Sequence, residues 1–420
     1  MLIDGMRLPR SYINGSNAFG RDSIAMNLVR QVEIVRGPAS VLYGSDGLAG
    51  LVNFMSLEPQ DFLQEKNAAP KEFGGKVVAA WSGDDHSRHL NASLAGRLNP
   101  QWSWLLSVNT GKARGLENKG VNDAPNIDRT RPNPQDEQSQ SVLAKLLYQP
   151  EAGQKHSLSL EHVGKISDFE LLSSRAKLPM TTAAAVKGES VHKDFQRDRL
   201  SLISRYDLKN DWIDHLQSHL SYQDSSAQDD GVTHRNTLAD RVRKVSYAEK
   251  AWQFSLQADK LFKMPGNWAQ RLSYGFDYSR IDVSNFFDGV DPGNADFTPR
   301  KYFPDTRDVS NAVYLQDEIF LGQWSITSGI RYDRFDLKVK TQSGFFPPSK
   351  LAATSLSDSA VVPKLGILYK FNPNWNAYAS FAGGFRAPNA QQINGVFESS
   401  TVPAVLLANP NLKPEKSQHI

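Results

Sequence analysis

Apolar and polar residues alternate with a period of two along most of the chain. Leu272, Tyr274, Phe276 and Tyr278 are interleaved with Arg271, Ser273, Gly275, Asp277 and Ser279. Trp324, Ile326, Ile330 and Tyr332 alternate with Gln323, Ser325, Thr327, Gly329 and Arg331, and Leu158, Leu160 and His162 with Ser157, Ser159 and Glu161. Such alternation places apolar side chains on one face of a strand and polar ones on the other. About 13 segments of this kind follow Phe73. Most are near or above the roughly 9–11 residues with which a tilted strand crosses a bilayer.

The spacing between these segments alternates too. Short connections are expected at 99–100, 150–154, 209–211, 264–267, 321–322 and 372–374. Long polar loops are expected near 112–138, 166–195, 224–241, 283–308, 338–358 and 384–414. Tight turns at one end and long loops at the other characterise a transmembrane barrel, whereas a soluble sandwich has no reason to segregate loop lengths. Trp102, Trp212, Trp268, Trp324 and Trp375 follow the short turns, and Tyr148, Tyr206 and Tyr369 precede them. Rings with an apolar body and a polar tip favour the headgroup region, so this clustering predicts an aromatic girdle at one interface.

The first 60 or so residues read differently. Residues 31–36 form a short strand broken by Gly37-Pro38, a helical turn covers 38–42, and Tyr43-Gly44 closes it. A second strand covers 51–55. This is a small α+β unit, and the domains expected are 1–65 and 66–420.

Composition narrows the classes. The chain has no cysteine, which removes disulfides and thiolate chemistry, and its net charge of +3 gives no footprint for nucleic acid. Mean hydropathy is −0.47, and no stretch approaches the roughly 20 apolar residues of a membrane helix. The opening MLIDG has neither a basic nor an apolar segment of a signal peptide, from which a missing true beginning is expected. No catalytic triad, carboxylate pair or phosphate loop stands out, so no enzyme is expected; Gly44 to Gly50 lacks the lysine of a phosphate loop. His86 with His89, and His215 with His219, could contact a ligand but read more simply as solvated loop and lumen residues. Glu33 and Arg36 are expected to pair with charges on the barrel wall.

Gln31 to Phe54, QVEIVRGPASVLYGSDGLAGLVNF, resembles the plug motif of TonB-dependent outer-membrane receptors: a strand carrying Glu33 and Arg36, then Gly37 and Pro38, a small-residue turn, Tyr43-Gly44, and a VN strand. Phe385-Arg386-Ala387-Pro388 and Asn409-Pro410-Asn411-Leu412 resemble the paired FRAP and NPNL boxes of the haem and haemoglobin receptor branch, though related strings occur in siderophore receptors. The resemblance implies an all-β fold: a partial transmembrane antiparallel barrel of about 13–14 strands, from an expected barrel of about 22, preceded by the C-terminal half of a plug. It implies no intrinsic cofactor, haem or a haemoprotein as transported ligand, outer-membrane lipid as surroundings, and the TonB–ExbB–ExbD complex as partner through a segment absent here. The alternative within the family is a ferric-siderophore receptor; a passive porin or barrel enzyme fits less well.

The branch usually draws iron ligands from the plug's apical loop and from the loop between the boxes. Here 389–408 has no His, Tyr, Cys or Met, and the apical loop, 8–22, offers only Tyr12, as a candidate phenolate or a plain aromatic contact. The metal ligands are thus left open. A last expectation is that the chain is a fragment, forming a curved sheet with free first and last strands and the plug on its concave face.

Overall fold

In the computed structural model, residues 1–14, 17–19, 23–37, 40–45, 47–48, 50–64, 69–266, 268–292, 299–345, 352–399 and 404–420 are described. Pro38, and the domain boundary expected at 65/66, lie outside them.

The N-terminal unit holds β1 (Leu2–Ile3), β2 (Met6–Arg7), β3 (Tyr12–Asn14), β4 (Asn17–Phe19), β5 (Val29–Arg36), α1 (Ser40–Tyr43), β6 (Gly50–Ser56) and α2 (Gln60–Leu63). Four of its strands form a sheet in the order β2-β1-β6-β5, and β3 and β4 form a separate apical hairpin. The helical turn begins at Ser40, and Gly44 closes it with φ +72°, its N–H donating to the Ser40 carbonyl at 2.8 Å. That is the left-handed C-terminal stop for which glycine is suited.

The remainder is one antiparallel sheet. Its strands are β7 (Phe73–Trp81), β8 (Arg88–Arg97), β9 (Trp102–Arg114), β10 (Gln135–Tyr148), β11 (Gln154–Glu170), β12 (Val186–Asp207), β13 (His215–Arg235), β14 (Arg241–Met264), β15 (Trp268–Val290), β16 (Asp305–Leu321), β17 (Trp324–Thr341), β18 (Leu356–Asn372) and β19 (Trp375–Arg386). After β19 come α3 (Ala390–Asn394), the small hairpin β20 (Phe397–Ser399) and β21 (Ala404–Leu406), and finally β22 (Glu415–His419). Each large strand pairs with its sequence neighbours, β22 adds to β19, and the sheet of 14 strands ends at β7 on one side and β22 on the other.

Alternation is realised as expected. Along β17, Ile330, Tyr332 and Arg334 are exposed outward, while Arg331, Asp333 and Phe335 are buried inward. The aromatic residues near the short turns meet on the outer face, Trp102 stacked on Tyr148 at 4.3 Å and Trp324 against Tyr369 at 4.5 Å. The expected loops at 166–195 and 224–241 are corrected. They shrink to 171–185 and 236–240, because β11 to β14 continue as ladders beyond the apolar stretch. Beyond the bilayer both faces of a strand meet water, so the period-two signal disappears while backbone pairing persists.

The plug lies on the concave, polar face. Leu63 of α2 packs with Leu28, Leu105 and Leu143, and Val41 of α1 with Phe335, Val362 and Phe385. Polar contacts complete the fit. Asp4 accepts from Arg199 at 2.9 Å, Arg199 and Arg197 both hold Glu161, and Arg197 Nε donates to the Ser23 carbonyl at 3.0 Å. Glu58 accepts from Lys155 at 2.6 Å, and Arg10 is bound to Asp308. Gln253 exchanges two hydrogen bonds of 2.9 Å with the Arg7 backbone.

Burial alone pushes the Asp4 carboxyl up. Lys145, Arg199 and the Ser56 hydrogen bonds outweigh it and hold it well below the usual carboxylate range. Burial likewise raises Glu58, but the Lys155 hydrogen bond and the surrounding cations bring it below its usual value.

Glu33 and Arg36 depart from expectation. They lie on β5, the exposed edge of the plug sheet, and Glu33 accepts from Asn53 within the plug at 3.1 Å rather than pairing with the wall. Among the described residues the barrel grips the plug through Asp4, the 7–10 segment, Ser23, Glu58 and the packed faces of α1 and α2 instead.

Candidate ligand-binding face

Tyr12 and the two boxes gather where the plug's apex meets the far ends of β13 to β19. Tyr12, on the apical hairpin, is almost fully buried. Its ring stacks on Tyr247 of β14 at 4.7 Å and on Phe19 at 5.8 Å, and meets Phe303 edge-on at 5.6 Å. Ile281, Val283, Tyr302, Leu337, Ala390 and Ile393 complete this cluster. Burial, with Tyr302 nearby, raises the Tyr12 hydroxyl above its ordinary pKa, and its oxygen has no hydrogen-bond partner among the described residues. In this arrangement Tyr12 is a buried packing residue rather than a surface aromatic.

The FRAP box faces the plug. Phe385 is buried, stacked on Phe335 at 6.2 Å and packed against Val41 of α1. The Ala387 N–H donates to Ser45 Oγ at 3.1 Å, which ties the box to the loop after Tyr43-Gly44. Arg386 reaches Glu415 of β22 at 3.9 Å and, with Arg7, Arg10, Tyr43 and Leu51, lines a cavity of about 350 Å³. Pro388 follows the strand, and its neighbour Asn389 caps α3: the Asn389 side chain accepts from the Gln392 N–H, and the Gln392 side chain accepts from the Asn389 N–H.

Helix α3 turns inward. Ile393 is fully buried in the aromatic cluster, and the Asn394 side chain exchanges two hydrogen bonds of 2.8 Å with the Thr354 backbone. The NPNL box closes the loop on α3. The Asn409 N–H donates to the Ile393 carbonyl at 2.9 Å, the Asn409 side chain accepts from Asn411 at 3.2 Å, and Leu412 packs on the cluster. Pro410 holds the turn between them. The two boxes are thus the two ends of one folded cap on the apical hairpin. Residues 400–403 lie outside the described residues.

Gly44 belongs to this assembly from below. A side chain there would meet Arg331 Nη2 at 2.8 Å and Arg7 Nη2 at 3.1 Å. Arg331 is itself fixed by Asp333 at 2.8 Å and Asp277 at 2.6 Å. Tyr43 offers its carbonyl to Arg7, and Gly37, with φ +87°, turns the chain after β5.

The histidine pairs do not assemble. His219 is buried beneath the plug while His215 is exposed at the turn end of the wall, held by Asp259 at 3.0 Å. His86 sits in a turn, and His89 lines a separate space between the plug and β7 to β11. Among the described residues no three His, Asp or Glu side chains come together as a metal site.

Sequence reasoning missed Tyr247, Phe303, Arg10 and Arg199. Alternation puts Arg197 and Arg199 on one face, but only strand register brings Glu161 to them.

Comparison with known proteins places this architecture. Residues 165–420 match the family described as TonB dependent receptor-like, beta-barrel, and residues 1–51 match the TonB-dependent Receptor Plug Domain. The chain belongs to the TonB-dependent receptors. It is 24% identical over 437 residues to a "Hemin receptor" of Yersinia pestis, covering 99% of this chain and 55% of that protein. It is 21% identical to "Heme/hemopexin utilization protein C" of Haemophilus influenzae, covering 58% of that protein. The chain therefore spans little more than half the length of these curated relatives.

Among solved structures, the Serratia marcescens hemophore receptor HasR, in complex with its hemophore HasA and heme, superposes with a TM-score of 0.70 at 18% identity, covering 99% of this chain and 60% of that one. The siderophore receptor PiuA from Acinetobacter baumannii superposes with a TM-score of 0.68 at 15% identity, covering 99% and 61%. At such identities the likeness shows the shared fold.

Proposed function

We propose that this TonB-dependent receptor serves, in the outer membrane, the uptake of haem, free or carried by a haemoprotein. The observation that carries the reading is the cap: FRAP, α3 and NPNL form one unit seated on the plug's apical hairpin through Ile393, Phe303 and Tyr12. A ligand that displaces the cap from outside would change what the hairpin packs against. Such a ligand biases the plug only by its different contacts in the two arrangements. Curated relatives named as hemin receptors support the choice of ligand. Energy would come from the TonB–ExbB–ExbD complex, and no chemistry on the ligand is needed.

A second reading, uptake of a ferric siderophore, is favoured by residues 389–408, which lack His, Tyr, Cys and Met, and by the equal likeness of the fold to a siderophore receptor. Titration of the purified receptor with haemin and with haemoglobin separates the two. A Soret shift or a stable haemoglobin complex is expected. Neither signal, with tight binding of a ferric siderophore, would replace the first reading by the second.

A further inference from the structure

On the outer face of β15, β16 and β17 the lipid-facing apolar rows end abruptly in cations. Along β15, Phe276 and Tyr278 are followed on the same face by Arg280. Along β16, Leu315 and Val313 are followed, past Asn311 and Val309, by Arg307. Along β17, Ile330 and Tyr332 are followed by Arg334, Lys338 and Lys340. The strands are in register here: Phe276 pairs with Val313 and Val313 with Tyr332, while Asp282 pairs with Arg307 and Arg307 with Lys338. The cations therefore begin at the upper margin of one continuous apolar surface.

The geometry is a cluster, not a scatter. Asp282 alone gathers three of them: Arg307 Nε at 2.8 Å, Lys340 Nζ at 3.2 Å and Arg280 Nη2 at 3.3 Å. Arg334 has Asp336 at 3.7 Å. Four cations thus share two carboxylates and Lys338 stands beside them, so among the described residues this face, at the edge of the bilayer, carries an excess of three positive charges. By contrast, the corresponding outer face of β11 to β13 carries Asp168, Asp194, Asp198 and Asp224 above Leu160, Leu200 and Tyr222. A uniformly solvated rim would show no such division.

Cations held close together at the height of lipid headgroups are under-neutralised by their own carboxylates. They are completed by an acceptor carrying several negative oxygens that reaches them from the apolar side. We infer that this face of β15 to β17 is a docking site for a phosphorylated lipid of the surrounding leaflet. Its acyl chains lie along Val313, Leu315, Ile330 and Tyr332, and its phosphate sits over Arg280, Arg307 and Lys340. The inference rests on the outer-membrane placement proposed above but not on the identity of the transported ligand.

The test compares lipid retained by the purified receptor in detergent, read by native mass spectrometry. The probes are lipid A bearing two phosphates and the same lipid after enzymatic dephosphorylation. Phosphorylated lipid should be retained preferentially. Retention in the R280Q/R307Q double variant should fall about thirtyfold, as removal of two cations at a lipid surface implies, with dephosphorylated lipid unaffected. Lys338→Gln, at an exposed position, should give a smaller loss in the same direction and serves if the double variant does not fold. Equal retention of the two lipids, unchanged retention in both variants, or full displacement by millimolar inorganic phosphate would overturn the proposal. Haemin titration of the same variants should be unchanged, so failure of the lipid site and failure of the haem reading are told apart.

Discussion

At the scale of single residues, the polar contacts that hold the plug to its wall, set among the apolar clusters, can each be tested. Arg199 joins Asp4 of the plug to Glu161 of the wall with almost no access to solvent. Removing one partner of a buried ion pair leaves the others uncompensated, so Arg199→Ala should destabilise the docked plug by about 3–5 kcal/mol. The lowered carboxyls add a pH dependence. Asp4 and Glu58 are depressed in the folded state, so their contribution is fully present above their ordinary values of 3.8 and 4.5 and is lost as pH falls through the folded ones. The urea midpoint for plug release should be flat from neutrality to about pH 5.5 and fall below about pH 4.5. A midpoint that already falls between pH 7 and 6 would assign the dependence to other groups.

Gly44 gives a second test. Its positive φ and its contact with Arg331 both exclude a side chain, so Gly44→Ala should cost on the order of 2 kcal/mol and loosen α1, read as faster proteolysis of the plug. Gly44 was legible in the sequence, because a Tyr-Gly stop after a helical turn has a local cause. The setting of Tyr12 was not, since Tyr247 and Phe303 reach it only through the tertiary fold.

At the scale of elements, strand existence and the short turns followed from alternation, and strand length did not. β14 runs for 24 residues, a contour of about 80 Å, against an apolar band about 25 Å tall. The surplus projects into water as a paired ladder, where neither face needs to be apolar and periodicity falls silent. The chain has no cysteine, so single-cysteine variants report position cleanly. In cells carrying the folded sheet, Gln228→Cys, exposed on the outer face near the top of β13, should react with a membrane-impermeant maleimide added outside. Leu220→Cys, eight residues lower on the same outward face, should be protected. Protection of both would put the upper ladder inside the bilayer.

At the scale of the whole molecule, the sheet wraps one side of the plug and leaves edges. Among the described residues β7 pairs only with β8, β22 only with β19, and β5 forms a further edge in the plug, with Ile34 65% exposed. Phe73, Val77 and Trp81 are likewise exposed along β7. In lipid each unsatisfied backbone group costs several kcal/mol, and the nine residues of β7 present about half of theirs outward. In water the same edges template pairing with other strands. Neither medium suits this sheet as a lone particle with open edges. Refolded by itself into detergent, the chain should therefore give no compact monomer. On unheated SDS gels it should lack the fast-migrating band of a closed barrel, and by light scattering its folded fraction should be larger than one chain. A heat-modifiable monomer of 46.7 kDa would show that β7 and β22 find each other and close the sheet.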